Sequence, residues 1–326
     1  MTRKKQVGFS LLETLVALAV LFAVGGIVMT GMVQLMKTQG TIANRTDMHT
    51  SVRSATELLQ QEIGQAGKVS LGAPADTITL GAAVTTPGSN PVSLASSSSF
   101  VPAPYVGEVL TIDVGSKQET ITVGGTASAP TATFAKVHAQ GAPVFALGAF
   151  ATGVVPPGIA APATTCVGAS CGSSPTVLKL YGDINGDGKM MYVEYTCIQG
   201  TASAPGALYR HQMPYDQATA KTASNDPTMI LLSNVLANPK DAGGNIVPCF
   251  AYQTQTLGSG TCVTNVAVTL TVQTQNIDPQ TRQLQTETKA LLNVGPRNIV
   301  EVYGTANLVD PTRAQPMPAT VSALLP

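Results

Sequence analysis

The chain has 326 residues, 18 Lys plus Arg are balanced by 18 Asp plus Glu, and only 11% of residues are charged, against roughly 25% in ordinary soluble proteins. Tryptophan is absent and aromatics make up 5%. There is neither a basic field for nucleic acid nor an acidic tail, and a stacking groove for single strands has few rings to draw on, so nucleic acid is not an expected partner.

The first element follows three cations, Arg3, Lys4 and Lys5. In "GFSLLETLVALAV" one acid, Glu13, interrupts an otherwise apolar stretch, and no charge follows it until Lys37. The apolar core 15–33 makes about 28 Å of helix at ~1.5 Å per residue, enough to cross a bilayer. The cations before it place the N-terminus in the cytoplasm and the chain after Lys37 beyond the membrane. A secretory signal would have a shorter apolar run and a clear small-x-small cleavage site. It would also have no use for Glu13, because a carboxylate near the membrane centre costs about 2.5–3.5 kcal/mol without a partner.

Lys4, Lys5, Gly8, Phe9, Ser10, Leu11, Leu12, Glu13 and the apolar run resemble the leader of type IV prepilins and of type II secretion pseudopilins. The resemblance implies that residues 1–8 are a leader cut off after Gly8 by a prepilin peptidase at the inner membrane. It implies methylation of the new amine on Phe9 and retention of the helix. Glu13 would then meet the Phe9 amine of a neighbouring subunit inside a helical bundle, so that two charges neutralise each other and set the axial register.

The helix is expected to continue to residue 67, because Met48, Val52, Ala55, Leu59, Ile63 and Ala66 recur every three or four positions, and Gly64 and Gly67 are expected to end it. Gly25, Gly26 and Gly31 are weak points, each costing up to ~1 kcal/mol relative to Ala, and local unwinding there on assembly is an expectation. From residue 68 to 326 the pattern changes to short Thr- and Val-rich runs between Gly, Pro and Ser, read as antiparallel strands at 77–80, 109–114, 119–123, 177–181, 190–197, 263–274 and 283–294. A long helix feeding a β-rich head is α+β, the architecture that the resemblance also implies. Residues 81–104 read as a surface loop, and 106–144 as a small β insertion in the head.

Residues 183–194, "DINGDGKMMYVE", fit the D-x-[DN]-x-[DN]-G-x5-E calcium pattern. Asp183, Asn185 and Asp187 would give side-chain oxygens, Lys189 its carbonyl and Glu194 two carboxylate oxygens, because hard Ca2+ takes six or more oxygens from a tight turn. The flanks are strand-like and not helical. The plain alternative is a hairpin whose Asn-Gly and Asp-Gly pairs supply positive φ.

The five cysteines lie in the C-terminal half, and export favours disulfides. The favoured pairs are Cys166 with Cys171 and Cys249 with Cys262, leaving Cys197 free. Spacing alone does not choose among the pairings, and five reduced thiols are the alternative. "GASCG", 168–172, matches a nucleophile-elbow pattern but lacks the strand before and helix after it. His49, His138 and His211 sit in no triad-like context, so an enzyme is not expected.

Residues 192–212 with "LYR", 263–275 and "PRN" at 296–298 further resemble PilW-like minor pilins, the last two as closing strands. The implied role is a minor pilin that joins other pilins through its helix and supports type IV pilus assembly or priming. Its location would be the inner membrane first and the pilus afterwards. A J-type pseudopilin of type II secretion, or a pilus-mounted adhesin or DNA-uptake module, are the alternatives.

Overall fold

The computed structural model describes residues 10–98, 100–158, 171–216, 225–257, 260–308 and 310–325. The chain divides into two compact units. One is formed by the chain up to Thr50 with Gln273–Thr286, the other by Ser51–Val272 with Glu287–Pro326. Helix α1, Leu11–Gln65, contributes to both. It runs unbroken through Gly25, Gly26 and Gly31, where an added Cβ would meet nothing within 4 Å. Gly64 lies inside it, and the turn falls at Gly67, whose φ of 81° is left-handed. A side chain there would also press on the Phe150 carbonyl and on Ile299, at 2.7 and 2.9 Å.

In the first unit, residues 274–285 fold against one face of the helix. Asn44 donates to the carbonyl of Asn276, and Gln280 donates to the Thr38 hydroxyl at 3.0 Å. Asp278 is 1% exposed. It accepts from the Thr41 hydroxyl at 2.8 Å, from the amides of Gln280 and Thr281, and from the Gln285 side chain.

In the second unit, eight short strands follow the helix: β1 Ile78–Leu80, β2 Gly88–Pro91, β3 Leu94–Ser96, β4 Val109–Ile112, β5 Glu119–Thr122, β6 Gly124–Thr126, β7 Ala129–Phe134 and β8 Val144–Ala146. They pair as β1 with β3, β2-β7-β6 and β5-β4-β8. One apolar core joins them, running from Leu71 and Leu80 through Val92, Leu110 and Ile121 to Phe134 and Val144. The small β unit is therefore larger than 106–144. The stretch expected to be a surface loop carries β2 and β3 and buries Val84, Val92 and Leu94. Its Gly, Ser and Pro content hides the strands, because they are fixed by pairing partners and not by propensity.

After β9, Ala149–Phe150, comes the main sheet of β10 Val177–Gly182, β11 Met191–Ile198, β12 Gly206–Pro214, β13 Ile230–Leu236, β14 Phe250–Leu257, β15 Gly260–Gln273 and β16 Thr286–Val294. The order is β10-β11-β12-β13-β15-β14, and β16 pairs with β15. Helix α2, Arg297–Leu308, strand β17, Ala314–Gln315, parallel to β9, and helix α3, Ala319–Leu324, close the chain. Pro296–Asn298, read as part of a closing strand, instead starts a helix, the Pro296 carbonyl accepting from the amides of Ile299 and Val300. Asn298 donates to the Gln65 carbonyl at 3.1 Å, satisfying an orphan acceptor at the end of α1.

The cysteine pairing also differs. Cys197 on β11 is bonded to Cys249, with Cα atoms 6.5 Å apart, and Cys262 is a buried free thiol. Register explains the correction. Cys262 lies opposite Gln255, whereas the Cys249 carbonyl accepts from Thr269, seven residues further along β15, or about 23 Å away at ~3.3 Å per residue. Cys171 is disulfide-bonded, and Cys166 lies outside the described residues.

The C-terminal stripe of α1, Val52, Ala55, Leu59 and Ile63, with Ala66 just beyond the helix, is buried as its spacing implies. Among these residues sits Glu62, only 3% exposed. Arg210 on β12 donates to both of its oxygens through Nε at 3.1 and 3.2 Å and again through Nη2. Tyr195, the register partner of Arg210 on β11, donates its hydroxyl to the same carboxylate. Burial first, and then the Glu62 charge, push the Tyr195 phenol above its ordinary range, so it acts as a neutral donor. Burial works against the charge of Arg210, but the Glu62 bonds outweigh it and raise its pKa. Arg210→Ala would leave a buried carboxylate without its cation and is expected to cost about 3–5 kcal/mol. The measurement is the thermal unfolding midpoint of the full chain in detergent, and an unchanged midpoint would show that this pair does not hold the helix on the sheet.

Candidate functional site

Gly8 and Phe9, the expected processing residues, lie outside the described residues. Ser10 and Glu13 are described, and together they form a helix cap. The Ser10 amide donates to Glu13 Oε2 at 3.1 Å, and the Leu12 amide reaches Ser10 Oγ at 3.4 Å. This is the S-x-x-E capping box, with the acid in the first turn where the helix dipole favours negative charge. Glu13 thus has a local task within its own chain. Beyond it, α1 is long and apolar enough to cross a membrane, and its most apolar window has no buried residue. Leu15, Leu21, Phe22 and Ile27 are all at least 60% exposed.

The 183–194 segment is the turn that follows β10 and then the first part of β11. Gly186 and Gly188 take the positive φ values, 71° and 85°, that the turn requires. Asp183 is fully buried; its Oδ1 accepts from the Gly188 amide at 3.2 Å, and its Oδ2 faces Lys68 Nζ at 2.7 Å. Asn185, Asp187 and Lys189 are exposed on the turn, where Asp187 accepts from the Lys189 amide at 3.0 Å. Glu194 is not brought to them. It stands in β11, opposite Lys179 and His211, and accepts from the Tyr192 hydroxyl at 2.7 Å.

The physical reason is the rise of a strand. Gly182 pairs with Met191 at the hairpin end, so Glu194 is carried three residues, about 10 Å, along the ladder, where a helix would have curled it back over the loop. Among the described residues no group of three or more His, Cys, Asp and Glu could hold a metal. The donor set as folded does not fit calcium, because a lysine already neutralises Asp183 and the bidentate ligand is elsewhere.

The small β unit contains an arrangement that the sequence did not signal. His138 is buried with each ring nitrogen against a carboxylate, Nδ1 3.2 Å from Asp113 and Nε2 2.6 Å from Glu119. The cluster ties together the chain just after β4, strand β5 and the chain after β7. The Val114 amide and then His138 hold Asp113 below its ordinary range. Burial pulls Glu119 upward, but His138 and the amides of Ala135 and Lys136 outweigh it and keep it low. Glu108 is the opposite case. It is 1% exposed, Oε1 has no partner among the described residues, and burial pushes it up to about 8 despite the Tyr105 amide, so it is mainly protonated at neutral pH. Of "GASCG", residues 168–170 lie outside the described residues, and no nucleophile stands with His138 in the contacts above.

Comparison with protein-family models, with curated proteins and with solved structures finds no match. The features on which a functional reading rests are therefore the exposed apolar helix, its capped N-terminus and the β head.

The turn gives one direct expectation. Millimolar Ca2+ should leave the thermal midpoint of the full chain unchanged, while Lys68→Met, which strands the buried Asp183 carboxylate, should lower stability by about 2 kcal/mol, between the values for exposed and buried pairs. A calcium-dependent rise in midpoint would instead assign the turn a metal.

Proposed function

We propose that the chain is a minor-pilin-type subunit that is held in a membrane by α1 and enters a type IV pilus through the same helix, in support of its assembly. The observation that carries this is the division of labour along one continuous element. The N-terminal part of α1 is apolar and exposed around its circumference, whereas Val52, Ala55, Leu59 and Ile63 are buried. Water does not tolerate so large an apolar surface, so the first part requires lipid or the helices of other subunits, and the second ties it to a β-rich head.

The leader-like residues around Gly8 and Phe9 support processing by a prepilin peptidase, and Glu13 supports pairing with a neighbouring subunit's Phe9 amine. The capping box gives Glu13 a task while the helix lies in the membrane, and its charge becomes useful again when a cation from the next subunit approaches. A J-type pseudopilin of type II secretion would use the same helix in the same way. The even charge balance, 18 Lys plus Arg against 18 Asp plus Glu, and the 5% of aromatics give a DNA-uptake module little support.

Glutamine also serves at the third position of a capping box, so one substitution separates the two tasks. Glu13→Gln should preserve helicity and the amount of protein in the membrane, yet reduce its amount in sheared filaments at least about tenfold. Normal incorporation of Glu13→Gln would confine Glu13 to capping and remove the charge-pairing part of the proposal.

A further inference from the structure

The first unit holds a pocket of about 620 Å³ between α1 and residues 279–282. Its helical wall is Met29, Val33 and Lys37, spaced at i, i+4 and i+8 on one face, with Thr30 and Gln34 beside them, and its other wall is Pro279, Gln280 and Arg282. Met29 to Lys37 covers about 12 Å along the helix axis. Met29 and Val33 belong to the uncharged span, whereas Lys37 is the first charge after it. The pocket therefore offers the apolar Met29 and Val33, beside the uncharged Thr30 and Gln34, at the depth of hydrocarbon and a cation where the helix leaves it.

The second wall is built to stay there. The Asp278 carboxylate caps the amides of Gln280 and Thr281 and accepts from Thr41, so its charge is engaged and does not line the pocket. Gln280 is tied to Thr38. The Pro279 ring lies against Gly40, where an added Cβ would stand 3.0 Å from its Cγ. Arg282, with φ of 56°, is exposed beside this anchor, as is Lys37, and neither has an ion-pair partner among the described residues.

We infer that this pocket holds one anionic phospholipid of the leaflet from which α1 emerges, its phosphate between Lys37 and Arg282 and an acyl chain along Met29 and Val33. The polarity gradient of the pocket is that of such a lipid, and none of the lining residues is acidic. Basic side chains at a membrane surface attract anionic headgroups, and the long stems of Lys and Arg reach along apolar surface to do so. The inference rests on α1 crossing a membrane and is independent of which filament the subunit enters.

The test places the full chain in nanodiscs of phosphatidylcholine alone or mixed with phosphatidylglycerol and counts lipids that stay bound on release, by native mass spectrometry. Insertion is checked separately by flotation with vesicles of the same compositions. One phosphatidylglycerol should be retained in preference to phosphatidylcholine. Retention should fall about tenfold or more in Lys37→Gln with Arg282→Gln, and also in Gly40→Leu, which displaces Pro279 and leaves both cations in place. Flotation should be unchanged in all variants. Equal retention of the two lipids, or retention that survives both sets of substitutions, would overturn the site, whereas failure of the wild-type chain to float would overturn the membrane-spanning reading on which it rests.

Discussion

The buried carboxylate of Glu62 is the constraint on which the head depends. A charged group on the apolar face of a helix is unfavourable unless it is paired and hydrogen-bonded, and here one arginine fork and one phenol hydroxyl, from adjacent strands, supply both. The pairing specifies more than it stabilises. Leu59, Ile63 and Ala66 would pack acceptably with the helix slid or rotated by a fraction of a turn, but Arg210 and Tyr195 accept Glu62 in one position. Asn298 adds a second fixed point by capping the Gln65 carbonyl, and the Gly67 amide donates to the Tyr181 carbonyl a few residues on.

The other end of α1 obeys a different constraint. Among the described residues none buries the apolar surface between Leu11 and Met36, whose large apolar side chains are all exposed, and a helix that is apolar all round is stable only in lipid or among other helices. The capped N-terminus matters because the first-turn amides of a helix must find acceptors. In the proposed assembly, a side chain that caps the helix and offers a charge to a neighbour would reconcile the cost of Glu13 with its presence. At the opposite limit of the apolar stretch stand Lys37, the first charge after it, and the Asp278-anchored connection between β15 and β16.

Patterning made much of this legible from the residues alone. The continuous helix followed from its stripe of Val52, Ala55, Leu59 and Ile63, and the strands β4, β5, β10, β11 and β15 from alternating β-branched runs. What remained hidden was set by partners far along the chain. Helix α2 carries Ile299, Val300 and Val302 and includes Gly304, a poor helical sequence, yet burial of Ile299 and Val302 decides its state. The bridge from Cys197 to Cys249 depended on register between strands. Glu194 satisfied a calcium pattern in one dimension, but strand rise moved it out of reach. Glu62 gives no signal in the sequence because its cation lies 148 residues away, and the carboxylates flanking His138 likewise come together only through folding.

The most direct test of the central claim, that α1 is a retained assembly helix and not a discarded signal, is the mass of the N-terminal peptide of the protein from membrane and sheared-filament fractions of its native host. The account requires a peptide that begins at Phe9, carries one additional methyl group and occurs in both fractions. A mature terminus within or beyond the apolar span, or an intact Met1 in a protein confined to the membrane fraction, would contradict it.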